Sequence, residues 1–531
     1  MSLLLGPLLR HVDETSATLW VETDTASEVE VLGTTTRTFE IRGHHYALLV
    51  LTGLEPGTST EYEVRVDGEK AWPLPESEFP PSRIRTLPEN ESRVRLVFGS
   101  CRKPHDGDTF GPDALAAYAR RMADGEESEW PQALLMLGDQ VYADETTDET
   151  QEWLKGRRDT SKPPGTEVTD FEEYTHLYLE AWGEPTIRWL LSTVPTSMIF
   201  DDHDVRDDWN TSHTWRRQMR AQPWWQERLR GAIMSYWVYQ HLGNLDPAEL
   251  AEDPTYQKAI SSGRDNADLL VAYADEADNE RDGTKGARWS YRRDFGKVRL
   301  LVIDSRAGRI LEPGHRSMVD DDEFDWIEDN AANDEEPCDH LLIGSSLPWL
   351  LPPVISHLQS LNERACNRPG WRGRLAEQIR QAGDLEHWAA FRASFDRLAA
   401  MIAREGRVED PPATISVLSG DVHHAYIAEA RYPEPVTSAV YQLTCSPVHN
   451  AMPRPLRLAF AATWSASLAR LTRRWAARGG VEPLPLGWQK TSGPHFGNVI
   501  ATVETDGRSA VTTIEQAVGD GLTEVARQRL A

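Results

Sequence analysis

Leu134-Leu135-Met136-Leu137-Gly138-Asp139-Gln140-Val141-Tyr142 decides how this chain is read. Four consecutive large apolar residues leave no polar face for water, so the run reads as a strand buried on both sides. It stops abruptly at a glycine, a carboxylate and a phenol. Three further stretches repeat the layout. They are Arg95-Leu96-Val97-Phe98-Gly99-Ser100-Cys101, Ile415-Ser416-Val417-Leu418-Ser419-Gly420-Asp421-Val422-His423-His424, and the apolar residues leading into Phe200-Asp201-Asp202-His203-Asp204-Val205-Arg206-Asp207-Asp208-Trp209. The last packs five carboxylates and one imidazole into residues 201–208. That density of like charge is costly unless cations sit among the carboxylates. Loops after the carboxyl ends of strands are where an open α/β sheet gathers ligands, so the four ends are expected to converge.

Candidate strands extend the pattern to 94–98, 133–137, 196–200, 299–303, 340–343, 415–418 and 439–443, with a closing pair near 498–502 and 509–514. Runs apolar on both faces, separated by long helical stretches, predict an α/β sandwich with sheets covered by helices. The acidic segments 145–185 and 245–288 are expected to decorate the surface. Residues 1 to 72 read instead as all-β: Ala17, Leu19 and Val21 alternate with Thr18, Trp20 and Glu22. Leu54-Glu55-Pro56-Gly57-Thr58 is turn chemistry, and the tyrosine that follows, Tyr62, is placed as in the corner of an immunoglobulin-like or fibronectin type III sandwich. Seven strands are predicted. Five prolines between Trp72 and Pro88 predict an extended, semi-rigid connector, which divides the chain into 1–88 and 89–531.

At 531 residues the chain can bury two sizeable cores. A formal net charge of −28 and a pI near 5.0 argue against binding nucleic-acid backbones, which needs a basic surface. The four cysteines form no CxxC pair, so neither a zinc knuckle nor a disulfide framework is indicated. No stretch approaches the roughly 20 apolar residues that span a bilayer. The start lacks a basic n-region, a twin arginine and a cleavage site, and a cytoplasmic location is expected.

One insertion departs from the acidic background. From Pro435 to Val481 there is no acidic residue, while Arg454, Arg457, Arg470, Arg473, Arg474 and Arg478 accumulate. Phe460, Trp464, Leu468, Leu471 and Trp475 fall on one helical face, predicting a basic amphipathic helix over about 452–480. Three readings stand: it packs on its own acidic protein, with Trp464 and Trp475 buried, its 454–478 stretch makes a weak membrane-surface contact, or it is a lid over the substrate.

The chemistry of the four ends divides in two. Asp139 can bridge two cations, and Tyr142 can reach the same cation as a phenolate. Cys101 as a thiolate and His423 as a nitrogen donor favour iron or zinc. Asp202 and Asp421, with Asp207 or Asp208, offer oxygen alone, which suits calcium, magnesium or manganese. Two cations about 3.5–4 Å apart would activate water and clamp a phosphoryl group. His203, flanked by carboxylates, is placed to protonate a leaving alkoxide.

Gly99-Ser100-Cys101, Gly138-Asp139-Gln140-Val141-Tyr142, Asp201-Asp202-His203-Asp204 with Asp207-Asp208-Trp209, and Gly420-Asp421-Val422-His423, in this order and spacing, resemble the PhoD-like (alkaline phosphatase D) branch of the metallophosphoesterases. The likeness implies an αββα catalytic sandwich behind the small all-β one, and a binuclear or larger centre of iron with calcium. It also implies a phosphoric ester hydrolase in which metal-activated hydroxide attacks phosphorus and His203 is the acid. In that assignment Cys101, Asp139, Tyr142, Asp202, Asp208, Asp421 and His423 are metal ligands, while Arg206 and His424 contact the substrate, a small phosphoester. Arg206 reads equally as a surface salt bridge. Family members typically carry two asparagines where this chain has Asp207 and Asp208. The alternatives are a phosphodiesterase or phospholipase D-like hydrolase of lipid headgroups, and a non-catalytic calcium-binding adhesion protein.

Overall fold

A computed structural model describes residues 2–104, 109–281, 283–332 and 337–531; the side chain of Arg454 lies outside the described residues. The strand Val298–Ile303 shows why the apolar runs lack alternation. Leu300 and Val302 point into one core with Leu134, Leu135 and Leu137, and Leu301 and Ile303 into another with Phe324, Ile327, Phe395 and Leu398. The first core lies between two sheets. Leu137 and Leu135 come so close to Gly344 that a Cβ there would lie 3.3 and 3.4 Å from their methyl groups. Helices Asp321–Ala331 and Arg392–Glu405 cover the outside through the second core.

The first sheet has the order Thr196–Ile199, Ala133–Leu137, Arg93–Gly99, Val499–Asp506, Ser509–Val518, Gly521–Arg529. Its first three strands are parallel and end in register, Leu137 opposite Ile199 and Gly99 opposite Met136. The second runs Tyr291–Phe295, Val298–Ile303, His340–Ser345, Thr414–Ser419, Ala439–Thr444, Ala425–Arg431, Gly487–His495, with its four central parallel strands ending together. Facing sheets with helices outside make the αββα sandwich that was expected. Four strands were not foreseen, Tyr291–Phe295, Ala425–Arg431, Gly487–His495 and Gly521–Arg529. Three of them are edge strands, where exposed residues dilute the apolar run, while Ala425–Arg431 lies one strand in from the edge and starts with four buried residues.

The acidic segments do more than decorate. Helix Phe171–Trp182 buries Phe171, Tyr174, Leu177 and Tyr178, and Ala267–Asp278 buries Leu270 and Ala274 in the main core. Acidic composition hid amphipathic faces.

The N-terminal unit has two four-stranded sheets and a further pair, Ser59–Glu61 with Arg83–Arg85, rather than seven strands. That pair takes up part of the proline-rich stretch expected to be an extended, semi-rigid connector. Tyr62 is not a corner either: its hydroxyl leaves its own sandwich and donates to the carbonyl of Ser192 at 2.5 Å. Every residue of Ser16–Thr23 is buried, because the sheet packs its own core on one face and the main core, through Trp20, on the other. Arg10 crosses this seam and donates to the carbonyls of Thr196, Tyr239 and Gln240 at 2.9, 2.7 and 2.7 Å.

The basic insertion forms two helices, Arg454–Thr463 and Ala466–Arg478, broken at Trp464 and Ser465. Trp464 is half-buried against Tyr426, while Trp475 stays 48% exposed. No helix among the described residues is long and apolar enough to cross a membrane.

Candidate metal centre

The register of both sheets brings three of the four strand ends to one cavity of about 370 Å³, while Cys101, at the fourth end, and Tyr142 lie outside its lining. Asp139, Asp202, His203, Asp207, Asp208, Asp421 and His423 line it. At each end the chain turns sharply through a left-handed residue: Cys101 (φ 58°), Asp139 (53°), Asp208 (65°), Asp421 (66°) and His423 (51°). Such backbone is strained for residues with a Cβ and persists only where its surroundings enforce it. The enforcement is visible. A Cβ on Gly138 would come within 2.5 Å of the Asp201 Cβ, so the strand ends can approach only with glycine there. Asp204 accepts backbone N–H groups from Asp139, Gln140, Val141 and Asp201 at 2.8–3.2 Å, tying two loops together. It is a structural clamp, although burial pushes its carboxyl up to about 7.

On one side of the cavity Tyr142 Oη lies 3.5 Å from Asp139 Oδ2 and accepts from Asn450 Nδ2 at 3.1 Å. Cys101 is buried beside Asp139 and Asp421, its Sγ 3.2 Å from the hydroxyls of Ser100 and Ser446. Burial, then the neighbouring anions, pushes the Cys101 thiol and the Tyr142 phenol far upward. Asp139 is raised by burial and by Asp201, Asp202 and Asp204, against the pull of His203. A cation among them would reverse each of these directions. Burial lowers His423 to about 4, which leaves its imidazole neutral, the form that ligates metals.

Three carboxylates are grouped closely enough to hold a metal, and Cys101 and His423 are not part of that close group. Oxygens of Asp139, Asp201 and Asp202 all lie within 4.8 Å of one another. Asp139 Oδ1 and Asp201 Oδ2 are buried with no hydrogen-bond partner, an expensive state that a cation would relieve.

The side expected to hold a second, oxygen-only cation is furnished differently. Asp202 Oδ1 is 3.2 Å from Arg306 Nη2, and its Oδ2 accepts the backbone N–H of Asp208 at 3.0 Å. Asp421 Oδ2 is 2.9 Å from His387 Nε2, and its Oδ1 3.7 Å from Arg306. Arg306 is fully buried and also pairs with Asp201 and Glu386. A guanidinium thus sits among the carboxylates that sequence reading assigned to the hard cation. Asp208 meets Asp202 through its N–H, and its carboxyl is pushed up to about 9 by burial, then by Glu386 and Asp384.

His203 lines the cavity with its ring 4.8 Å from that of Tyr142. Its Nδ1 is held by Asp144 Oδ1 at 2.9 Å, which leaves Nε2 for a substrate. Burial alone would lower this imidazole, but Asp144 outweighs it by charge and hydrogen bond, Asp139 and Asp202 add to it, and the pKa rises well above the ordinary value. The two expected substrate contacts lie elsewhere. Arg206 pairs with Glu167 at 2.8 Å and stacks on Trp224, outside the cavity lining. His424 is buried behind the wall among Tyr426, Phe460 and Phe496, its Nδ1 on the Val422 carbonyl.

Sequence reading missed Asp144, Arg306, Glu386 and His387. Arg306 carried a usable signal: Ile303-Asp304-Ser305-Arg306 ends an apolar run in charge, as the four chosen ends do. His387 and Glu386 precede a short helical turn and had none.

Residues 1–84 match a domain of unknown function, DUF7800, and residues 97–478 match PhoD-like phosphatase. No curated protein matches the chain in sequence. Among solved structures, that described as "Structure of PhoD" aligns with a TM-score of 0.59 at 11% identity, covering 99% of this chain and 92% of that one. The purple acid phosphatase PPD1 from yellow lupin (Lupinus luteus) seeds aligns at 0.50 and 10% identity, covering 98% and 73%. At such identities the two structures speak to the fold alone, but the family match spans most of the sequence: the chain belongs to the PhoD-like phosphatase family.

Proposed function

We propose that this protein hydrolyses phosphoric esters at a centre in which Cys101, Asp139, Tyr142 and His423 hold a metal and His203 is the general acid. The observation that carries it is the pairing of His203 with Asp144 in a cavity that it shares with Asp139, whose Oδ1 is buried and unpartnered. A metal bound there supplies Lewis-acid charge and activates water. Thiol, phenol and imidazole donors favour iron or zinc over calcium. Asp144 fixes the tautomer of His203 and keeps it protonated, so that Nε2–H can be delivered to the leaving oxygen. Arg306 offsets the charge of Asp201, Asp202 and Asp421 where a second metal was expected.

Metal-loaded wild type is expected to hydrolyse a soluble aryl phosphoester and an alkyl one. His203→Ala should lose roughly 10²–10⁴ in turnover on the alkyl ester, whose leaving group needs the proton, and less on the aryl ester. Equal small losses on both would make His203 structural.

A further inference from the structure

Two segments, 353–382 and 454–478, hold eleven arginines and only two glutamates in a chain of formal net charge −28. Eight of these arginines are exposed. The two glutamates are taken up internally: Glu363 pairs with Arg316 and Arg380, and Glu377 with Arg380. The outward charge of this region is therefore positive on an acidic protein.

The same segments carry nine of the fourteen exposed large apolar side chains among the described residues. On helix Trp371–Ala382 they recur every fourth residue, at Trp371, Leu375 and Ile379, and on Ala466–Arg478 they form the stripe Leu468, Leu471 and Trp475. Leu458, on Arg454–Thr463, is 78% exposed. Helix Pro353–Cys366 unites them, packing on Trp371–Ala382 and Ala466–Arg478 and touching Arg454–Thr463. Grouped apolar residues of this size on a surface mark a contact site.

Two of these helices also wall the reaction cavity. Opposite the carboxylates it is lined by Leu351, Ile355, Leu358, Met452, Leu456 and Phe460. The cavity thus has a polar, metal-binding end and an apolar end, the latter built largely by helices Pro353–Cys366 and Arg454–Thr463; the helices with the exposed tryptophans do not line it but pack on Pro353–Cys366.

We propose that this face docks on an anionic bilayer and that the ester drawn into the cavity is a lipid phosphoester. The proposal rests on the hydrolase reading above and names its substrate class. Arginines interspersed with tryptophan and leucine on surface helices match phosphate headgroups over acyl chains. The lipid phosphate lies at the His203 end and its apolar part along Leu358, Leu456 and Phe460. Hydrolysis breaks one P–O bond and joins the oxygen of a water molecule to phosphorus; His203 protonates the leaving oxygen and is reprotonated at the expense of that water.

The test uses sedimentation with vesicles of phosphatidylglycerol and phosphatidylcholine, against phosphatidylcholine alone. Wild type should bind the anionic vesicles, release them as salt is added, and consume their phosphoester. The triple variant Arg470→Glu, Arg473→Glu, Arg474→Glu should bind roughly 100-fold more weakly or worse. Trp475→Ser should weaken binding at every salt concentration. All should hydrolyse a soluble aryl phosphoester as wild type does, which also reports that they are folded. Absence of vesicle binding by wild type at any ionic strength, or binding indifferent to the triple variant, overturns the proposal and leaves the hydrolase reading intact. Self-association that the triple variant abolishes would assign the face to a second copy of the chain and likewise overturns it. Vesicle binding without hydrolysis of any phosphoester would instead defeat the hydrolase reading and, with it, the lipid substrate.

Discussion

The seam between the β-sandwich and the αββα unit buries charge, as the metal centre does, but settles it differently. At the seam fully buried Arg10 reaches three carbonyls, and half-buried His44 sits between Glu22 at 2.8 Å and Glu172 at 2.9 Å. At the centre Asp139 Oδ1 and Asp201 Oδ2 have none, and burial drives both acids upward. Buried charge that is fully partnered is architecture, and buried charge left open is a place for something else to bind.

The contrast is most exposed to failure at its two extremes. Arg10→Met should destabilise the protein by about 3–5 kcal/mol, because three buried carbonyls lose their donor; urea unfolding measures it. Asp139→Asn should do the opposite in metal-free protein, raising stability by about 1 kcal/mol as like charge is removed. Metal affinity, followed by metal analysis during dialysis, should fall by more than the roughly 100-fold that losing a ligand's hydrogen-bond partner costs. Destabilised metal-free Asp139→Asn would erase the distinction. Asp144→Asn tests whether the centre also contains architecture. It should slow turnover by roughly 10–100-fold and shift the alkaline limb of the turnover profile to lower pH, since His203 loses the charge that holds its proton.

A pH-dependent effect is expected at the seam. Burial alone would lower the His44 imidazole, but Glu22 and Glu172 raise it to about 9. Its folded value thus exceeds the unfolded one, so its contribution is complete below about pH 6.5 and is lost as pH rises through about 9. After allowance for solvent screening this is about 1–2 kcal/mol. The stability advantage of wild type over His44→Gln should shrink across that window; a constant difference would show that His44 acts by packing alone.

What sequence could reveal follows the same division. Strands buried on both faces announce themselves, so Arg93–Gly99, Ala133–Leu137 and Thr414–Ser419 were legible, and with them Cys101, Asp139, Tyr142, Asp421 and His423. Partnered charge was not legible, because the partner is set by tertiary approach. Nothing near Tyr62 names Ser192, and nothing near Asp421 names His387. The break in the arginine-rich helix was also hidden. The spacing of Phe460, Trp464 and Leu468 satisfies one continuous face, and only Ser465, a residue type that caps helices, hinted at a new start.

The left-handed residues at the strand ends restrict the alphabet available to this site. Aspartate and asparagine tolerate that backbone better than other side chains, and β-branched residues are nearly barred from it. Drift at positions 139, 208 and 421 is therefore channelled into exchanging an oxygen acid for its amide, altering charge while leaving the loop's path unchanged. Cys101 has no such conformational licence. A randomised library at that position should recover glycine and asparagine when selected for folding alone, and cysteine only when selected for turnover.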